Sequence, residues 1–225
     1  MTTELHKPLV DHKKNSGVAI MGGTFDPIHN GHLRSAVEIL DRYGFAQLRL
    51  IPCYQPVHKS QPSVSAQQRL DMVEMAVSSD ERLTVDRREI IRTGPSYSLD
   101  TLRSIREEIG ETEPLVMVLG MDSFLSLPTW HGWQELIKYA HIFVVSRPGW
   151  EPDLISELSE FCENYRAASP HELQCAPSGL VCLETLTPLG ISSSLIRSLC
   201  RQQASIAYLL PEPVQTYIQK HQLYQ

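Results

Sequence analysis

The chain has 225 residues, of which 42% are hydrophobic and 20% charged, a balance that excludes a mainly disordered protein and supplies enough apolar side chain for a sizeable core. Its net charge of −6 speaks against a general nucleic-acid binder, and no apolar run approaches the roughly 18 residues of a membrane span. The five cysteines, Cys53, Cys162, Cys175, Cys182 and Cys200, are odd in number and hold no C-x-x-C pair, which argues against a disulfide framework or a zinc knuckle and for a reducing, cytoplasmic setting.

In chain order, residues 1–16 are polar, lack the apolar h-region of a secretory signal, and read as an extension to a single domain over 17–225. VAIM (18–21) is a short buried strand running into Gly22 and Gly23. In HLRSAVEILDRYG, Leu33, Ala36, Val37, Leu40 and Tyr43 share one face of a helix that Gly44 closes. LRLIP (48–52) is a second strand, and the prolines at 52, 56 and 62 make 52–64 a loop and a candidate lid. Ser65 with Gln68 forms a capping-box pattern that opens a helix over 66–77. RLTVD (82–86) and REI (88–90) are expected as strands, 92–96 as a turn, and 98–109 as a helix buried through Leu99, Leu102, Ile105 and Ile109.

The apolar strand PLVMVLG (114–120) follows, then a short helix WQELIKYA (133–140) and the strand HIFVVS (141–146) with a turn after it. Residues 153–166 carry a helical pattern, 167–179 read as a variable loop, and 180–184 form a late strand. Helices over 192–202 and 211–221 close the chain, the last starting at Pro211 or Pro213. Strands alternate with helices and are apolar without alternation, so the fold expected is α/β, a doubly wound parallel sheet covered on both faces. Ligands in such sheets bind beyond the carboxyl ends of the strands, which gathers 22–32, 120–131 and 185–193 on one edge.

Two stretches there carry chemistry. GGTFDPIHNGH (22–32) puts two glycines after a strand and before a helix, where backbone approaches a ligand closely and N–H groups point outward. It is neither a Walker A loop nor a G-x-G-x-x-G fingerprint. His29 and His32, three residues apart, fall on one side of the first turn, and Gly31 leaves room for a flat ligand. Both imidazoles are suited to donate to phosphate oxygens. A lone H-x-x-H is also compatible with one capping and one core histidine, or with zinc ligation, for which a third ligand is not evident nearby. ISSSLIR (191–197) sets Ser192, Ser193 and Ser194 at a second helix start, with Arg197 one turn on. Such serines are ordinary caps on their own, but two helix N-termini and an arginine together are equipped to hold a triphosphate.

These stretches resemble the T/H-x-G-H loop and the I-S-x-[ST]-x-[IV]-R element of the Rossmann-like nucleotidyltransferases. PSYSLDTL (95–102), LGMDSF (119–124), PTWHGW (128–133), RPG (147–149) and LLPEPVQTYI (209–218) narrow the resemblance to the bacterial nicotinate mononucleotide adenylyltransferases, over roughly residues 17–225. Ser194 replaces a common threonine and keeps its hydroxyl, and 151–178 match weakly. The resemblance implies transfer of the adenylyl group of ATP to nicotinate mononucleotide, giving nicotinate adenine dinucleotide and pyrophosphate in NAD biosynthesis. Mg²⁺ is then held mainly by the ATP phosphates, without a dedicated protein site. Other phosphate acceptors (nicotinamide mononucleotide, pantetheine phosphate) and a non-catalytic nucleotide-sensing module are the alternatives.

By the same resemblance His29, His32 and Arg197 are the catalytic residues. Gly22, Gly23, Thr24, Phe25, Gly31 and Ser192 to Ser194 surround the ATP phosphates. Tyr97, Ser98 and the Trp130–His131 backbone hold the nicotinate ring and carboxylate. Trp130 is either a stacking face or packing, Asp122 either a ribose contact or a helix cap, and Lys59 either a phosphate contact or a solvated loop residue. No nucleic-acid or membrane partner is implied, and the oligomeric state, a homo-oligomer included, stays open.

Overall fold

The computed structural model describes residues 16–57, 61–92, 94–146 and 154–225. The expected extension (apart from Ser16), Lys59 and the turn at 147–149 therefore lie outside the described residues. Among the described residues, six parallel strands form one sheet: β1 Val18–Gly23, β2 Gln47–Pro52, β3 Leu83–Val85, β4 Leu115–Gly120, β5 His141–Ser146 and β6 Val181–Thr185. Their spatial order is β3-β2-β1-β4-β5-β6. The helices are α1 Asn30–Tyr43, α2 Ala66–Val77, α3 Arg88–Arg92, α4 Ser98–Ile109, α5 Met121–Leu125, α6 Leu136–Tyr139, α7 Ser156–Tyr165, α8 Ser193–Arg201 and α9 Glu212–Lys220.

The strands are apolar on both faces because each face has its own core. Ala19, Met21, Leu48, Leu50, Val116, Val118 and Phe143 point toward α1, α2, α8 and α9. Val18, Ile20, Ile51, Leu115, Met117, Leu119, Ile142 and Val144 point toward the layer of α4 to α7. Side chains alternate along every strand, but both sides meet helices, so the sequence shows a continuous apolar run.

Local signals fix the helix ends. Gly44 takes φ 68° and returns its N–H to Leu40 O at 3.2 Å. Ser65 Oγ accepts the Gln68 N–H at 3.2 Å while Gln68 Oε1 accepts the Ser65 N–H at 3.0 Å. Residues 88–90 differ from expectation: they belong to α3, because Asp86 Oδ1 accepts the Arg88 N–H at 3.0 Å and turns the chain out of the sheet after Val85. The expected helix 133–140 is a 3-10 turn, Trp133–Glu135, followed by α6, and Gly132 at φ 61° precedes it. The 167–179 loop contains a 3-10 turn at Pro170–Gln174 that buries Leu173. The fully buried His141 fastens this region: its Nδ1 accepts the Leu180 N–H at 3.1 Å, so Nε2 carries the proton donated to Ala176 O at 2.8 Å.

Candidate active site

β1 and β4 are neighbours in the sheet but are followed by helices on opposite faces, and a cleft opens beyond their carboxyl ends. Its volume is about 970 Å³, and it is lined by the three expected stretches: Gly22 to His32 in part, Gly120 to Ser123 with Trp130 and His131, and Leu186 to Ser194. It is large enough for a dinucleotide-sized ligand.

The loop after β1 is shaped by Phe25, whose buried ring lies under Gly23. A Cβ on Gly23 would stand 2.9 Å from that ring, and Phe25 itself takes φ 49° to reach the position. The Phe25 ring meets His32 edge-on at 5.1 Å, and His32 stacks on His29 with centroids 3.7 Å apart. His32 Nδ1 accepts the His29 N–H at 3.3 Å, so the neutral ring carries its proton on Nε2. His29 is only 6% exposed, and burial lowers its pKa to about 4. It is therefore a neutral imidazole at neutral pH, wedged so close under Gly31 that a Cβ there would lie 2.9 Å from its Nδ1.

The second helix start is stitched to this loop. Ser192 caps α8 by accepting the Leu195 N–H at 3.1 Å, and Ser193 Oγ donates to Pro27 O at 2.9 Å. Arg197 Nη1 donates to Asp26 O at 2.6 Å and Nη2 to Ser194 Oγ at 3.2 Å. Glu38, buried on α1, accepts the Thr187 N–H with both oxygens, at 3.3 and 3.1 Å, and so holds the segment leading into α8. Its interactions with Thr187 and Arg42 outweigh its burial and lower its pKa.

Across the cleft, Tyr97, Ser98, Asp122, Trp130 and His131 all line the cavity. Tyr97 and His131 are in ring contact at 4.8 Å. The left-handed turn at Gly132 sits against Leu99, where a Cβ would approach to 2.6 Å, so this backbone path is reserved for glycine. Asp122 does not cap α5: the N-cap is Gly120, and Asp122 lies exposed in the first turn. Trp133 is buried against Phe161 at 5.1 Å, whereas Trp130 is half-buried at the cleft wall.

Three site residues escaped the sequence reading. Arg69 is 1% exposed and donates to Thr24 O and Cys53 O, both at 2.7 Å, and to Tyr54 O at 3.0 Å. It clamps the loops after β1 and β2. Its signal was an arginine in phase with the apolar face of α2, beside Leu70, Met72 and Val73. Asp26 lies within the quoted loop, yet nothing local shows that its carboxylate accepts from Ser63 and Tyr224. Glu89 is buried at the cavity wall and accepts the Thr101 hydroxyl at 2.7 Å; burial raises its pKa.

Among the described residues, no group of three or more His, Cys, Asp or Glu is placed to hold a metal ion, and no helix is long and apolar enough to cross a membrane.

The cytidylyltransferase-like family matches residues 20–199. A "Probable nicotinate-nucleotide adenylyltransferase" of Marinomonas is 74% identical over 211 residues, spanning 94% of this chain and 96% of the relative. A protein of the same description from Hahella chejuensis is 45% identical over 213 residues, spanning 94% and 97%. Among solved structures, the Plasmodium falciparum nicotinic acid mononucleotide adenylyltransferase complexed with NaAD superposes with a TM-score of 0.69 at 17% identity, covering 93% of this chain and 98% of that one. At that identity the likeness is one of fold.

Proposed function

The chain belongs to the nicotinate-nucleotide adenylyltransferases of the cytidylyltransferase-like family, and from that premise we propose how its cleft performs the reaction. The enzyme transfers the adenylyl group of ATP to nicotinate mononucleotide, releasing pyrophosphate and forming nicotinate adenine dinucleotide. The observation that carries the reading is the joining of two helix N-termini, α1 and α8, around one loop at the switch point of the sheet.

The nucleophile is a phosphate monoester oxygen. Its second pKa is about 6, so it is already largely ionised at neutral pH and needs no general base. Catalysis is then positioning and charge neutralisation along the line of displacement at the α-phosphorus. His32, with its proton on Nε2, donates to the oxygens where charge builds. His29 serves as the neutral support that fixes the His32 ring and adds no charge of its own. Thr24 and the Gly22–Phe25 backbone face the phosphate junction, Gly31 lines it and admits the His29 ring beneath, and Ser192, Ser193, Ser194 and Arg197 face the β- and γ-phosphates. Arg69 keeps the loop rigid from below.

Cleft carboxylates Asp26 and Glu89 are already engaged by protein donors. With these carboxylates engaged, a divalent cation would be carried in on phosphate oxygens rather than held by a dedicated protein site, and Mg²⁺ there would supply further neutralisation of the triphosphate. Tyr97, Ser98, the Trp130–His131 backbone, Asp122 and Lys59 form the proposed mononucleotide side. A carboxylate only accepts hydrogen bonds, whereas a carboxamide also donates, so N–H donors there favour nicotinate over nicotinamide. Residues 17–225 make up the catalytic unit in this reading, acting in a reducing cytoplasm that suits the free thiols of Cys53, Cys162, Cys175, Cys182 and Cys200.

Direct transfer is tested by incubating the protein with Mg·ATP with and without nicotinate mononucleotide. Equimolar pyrophosphate and dinucleotide, formed only when the acceptor is present, is the expected outcome. Pyrophosphate released without the acceptor, or an adenylylated protein, would overturn it.

A further inference from the structure

Asp26 is reached from three distant parts of the chain. Tyr224, 9% exposed, donates its hydroxyl to Asp26 Oδ1 at 2.9 Å. The Ser63 N–H donates to Oδ2 at 2.8 Å. Arg197 lies against the same residue but is bonded to its backbone: Nη1 donates to the Asp26 carbonyl at 2.6 Å and stands 3.9 Å from Oδ2. Arg197 lines the cleft and Tyr224 does not.

This arrangement is unusual for a guanidinium next to a carboxylate. Such a pair closes, when nothing prevents it, into a bidentate fork of two parallel N–H···O bonds, the same geometry an arginine uses for phosphate. Here each carboxylate oxygen is engaged by another donor. Burial and the neighbouring Asp26 charge push the Tyr224 pKa far above the ordinary tyrosine value, so the hydroxyl remains a donor at every working pH. Its ring packs in the core formed with α9, Ile218 and Leu223 included.

We propose that Tyr224 is a positioning residue for the triphosphate site, its hydroxyl holding the Asp26 carboxylate away from Arg197 so that the guanidinium stays available to ATP. The proposal rests on the reading of Arg197 as a phosphate ligand. Without the hydroxyl, Oδ1 loses its donor and the carboxylate turns onto Arg197. ATP then has to displace an internal anion before it binds.

The test is the dissociation constant of Mg·ATP, measured by calorimetry without acceptor, for the wild type, Tyr224→Phe, Arg197→Ala and the double variant. Phenylalanine keeps the buried ring, so the core is preserved. Tyr224→Phe is expected to weaken Mg·ATP roughly fivefold to tenfold, the scale of one hydrogen bond, with KM for nicotinate mononucleotide changed less than about twofold. In the Arg197→Ala background the same change is expected to have no effect on ATP. Unchanged ATP affinity in Tyr224→Phe, or an equal loss with Arg197 absent, would overturn the proposal. Arg197→Ala binding ATP as tightly as wild type would instead overturn the phosphate reading of Arg197 itself.

Discussion

His32 is held by its neighbour on the same turn: the His29 backbone N–H lies 3.3 Å from His32 Nδ1, and the two rings stack 3.7 Å apart. One histidine thus sets both the tautomer and the ring plane of the other. In the proposed mechanism the pair divides the work that an H-x-x-H spacing leaves undivided, with His29 as the buried neutral support and His32 as the donor at the cleft.

His32→Ala removes an oriented donor while leaving the core of α1 untouched. The turnover number is expected to fall on the order of 10²–10³ with an unchanged thermal midpoint. Near-normal turnover in the folded variant would remove His32 from the mechanism.

Burial holds the His29 pKa at about 4 against an ordinary value of 6.5. In the unfolded chain the ring gains its proton below about pH 6.5; in the folded protein it does so only near 4. Between those values the unfolded state binds more protons, so stability is fully present above about pH 6.5 and falls as the pH drops toward 4. The loss from about pH 7.5 to about pH 5 is expected to be on the order of 2 kcal/mol. His141, also depressed chiefly by burial, adds a loss of the same sign. Urea unfolding at both pH values checks this, and His29→Asn, which does not titrate, is expected to show a shallower dependence.

Arg69→Met keeps the length of the side chain and removes every donor. The carbonyls of Thr24, Cys53 and Tyr54 then lose their partner. The Cys53 bond is buried and the other two only partly so; an unpaired buried acceptor costs about 1–3 kcal/mol, so a total loss of roughly 2–3 kcal/mol is expected in denaturant unfolding. Arg69→Lys is expected to recover part of it. A variant as stable as the wild type would show that the clamp contributes little.

Trp130→Ala is expected to raise KM for nicotinate mononucleotide roughly tenfold and to leave KM for ATP within about twofold, since stacking of a ring on an aromatic side chain is worth about 1–3 kcal/mol. Trp130→Phe is expected to retain most of the affinity. Equal changes in both constants would indicate packing rather than stacking.

The sheet and most of its helices were legible because their signals are local: the Ser65–Gln68 box, the Gly44 cap and the apolar strands all act within a few residues. The segment 88–90 was misread because an apolar-edged triplet fits either a strand or one helical turn, and the Asp86 contact that decides it lies outside the triplet. The glycines and histidines of the loop after β1, which line the cleft, were legible as candidates for the same reason as the caps, being contiguous. Arg69 and Tyr224 reach that loop from 45 and 198 residues away, and no spacing rule encodes such contacts.

Acceptor choice decides between adenylyl transfer to nicotinate mononucleotide and its alternatives. With Mg·ATP and equal concentrations of nicotinate and nicotinamide mononucleotides in one reaction, the dinucleotide products are separated and counted. Nicotinate adenine dinucleotide in clear excess, with matching pyrophosphate, is the expected outcome. Product from the amide alone would contradict the mononucleotide side of the cleft, and no dinucleotide from either would contradict the adenylyl transfer itself.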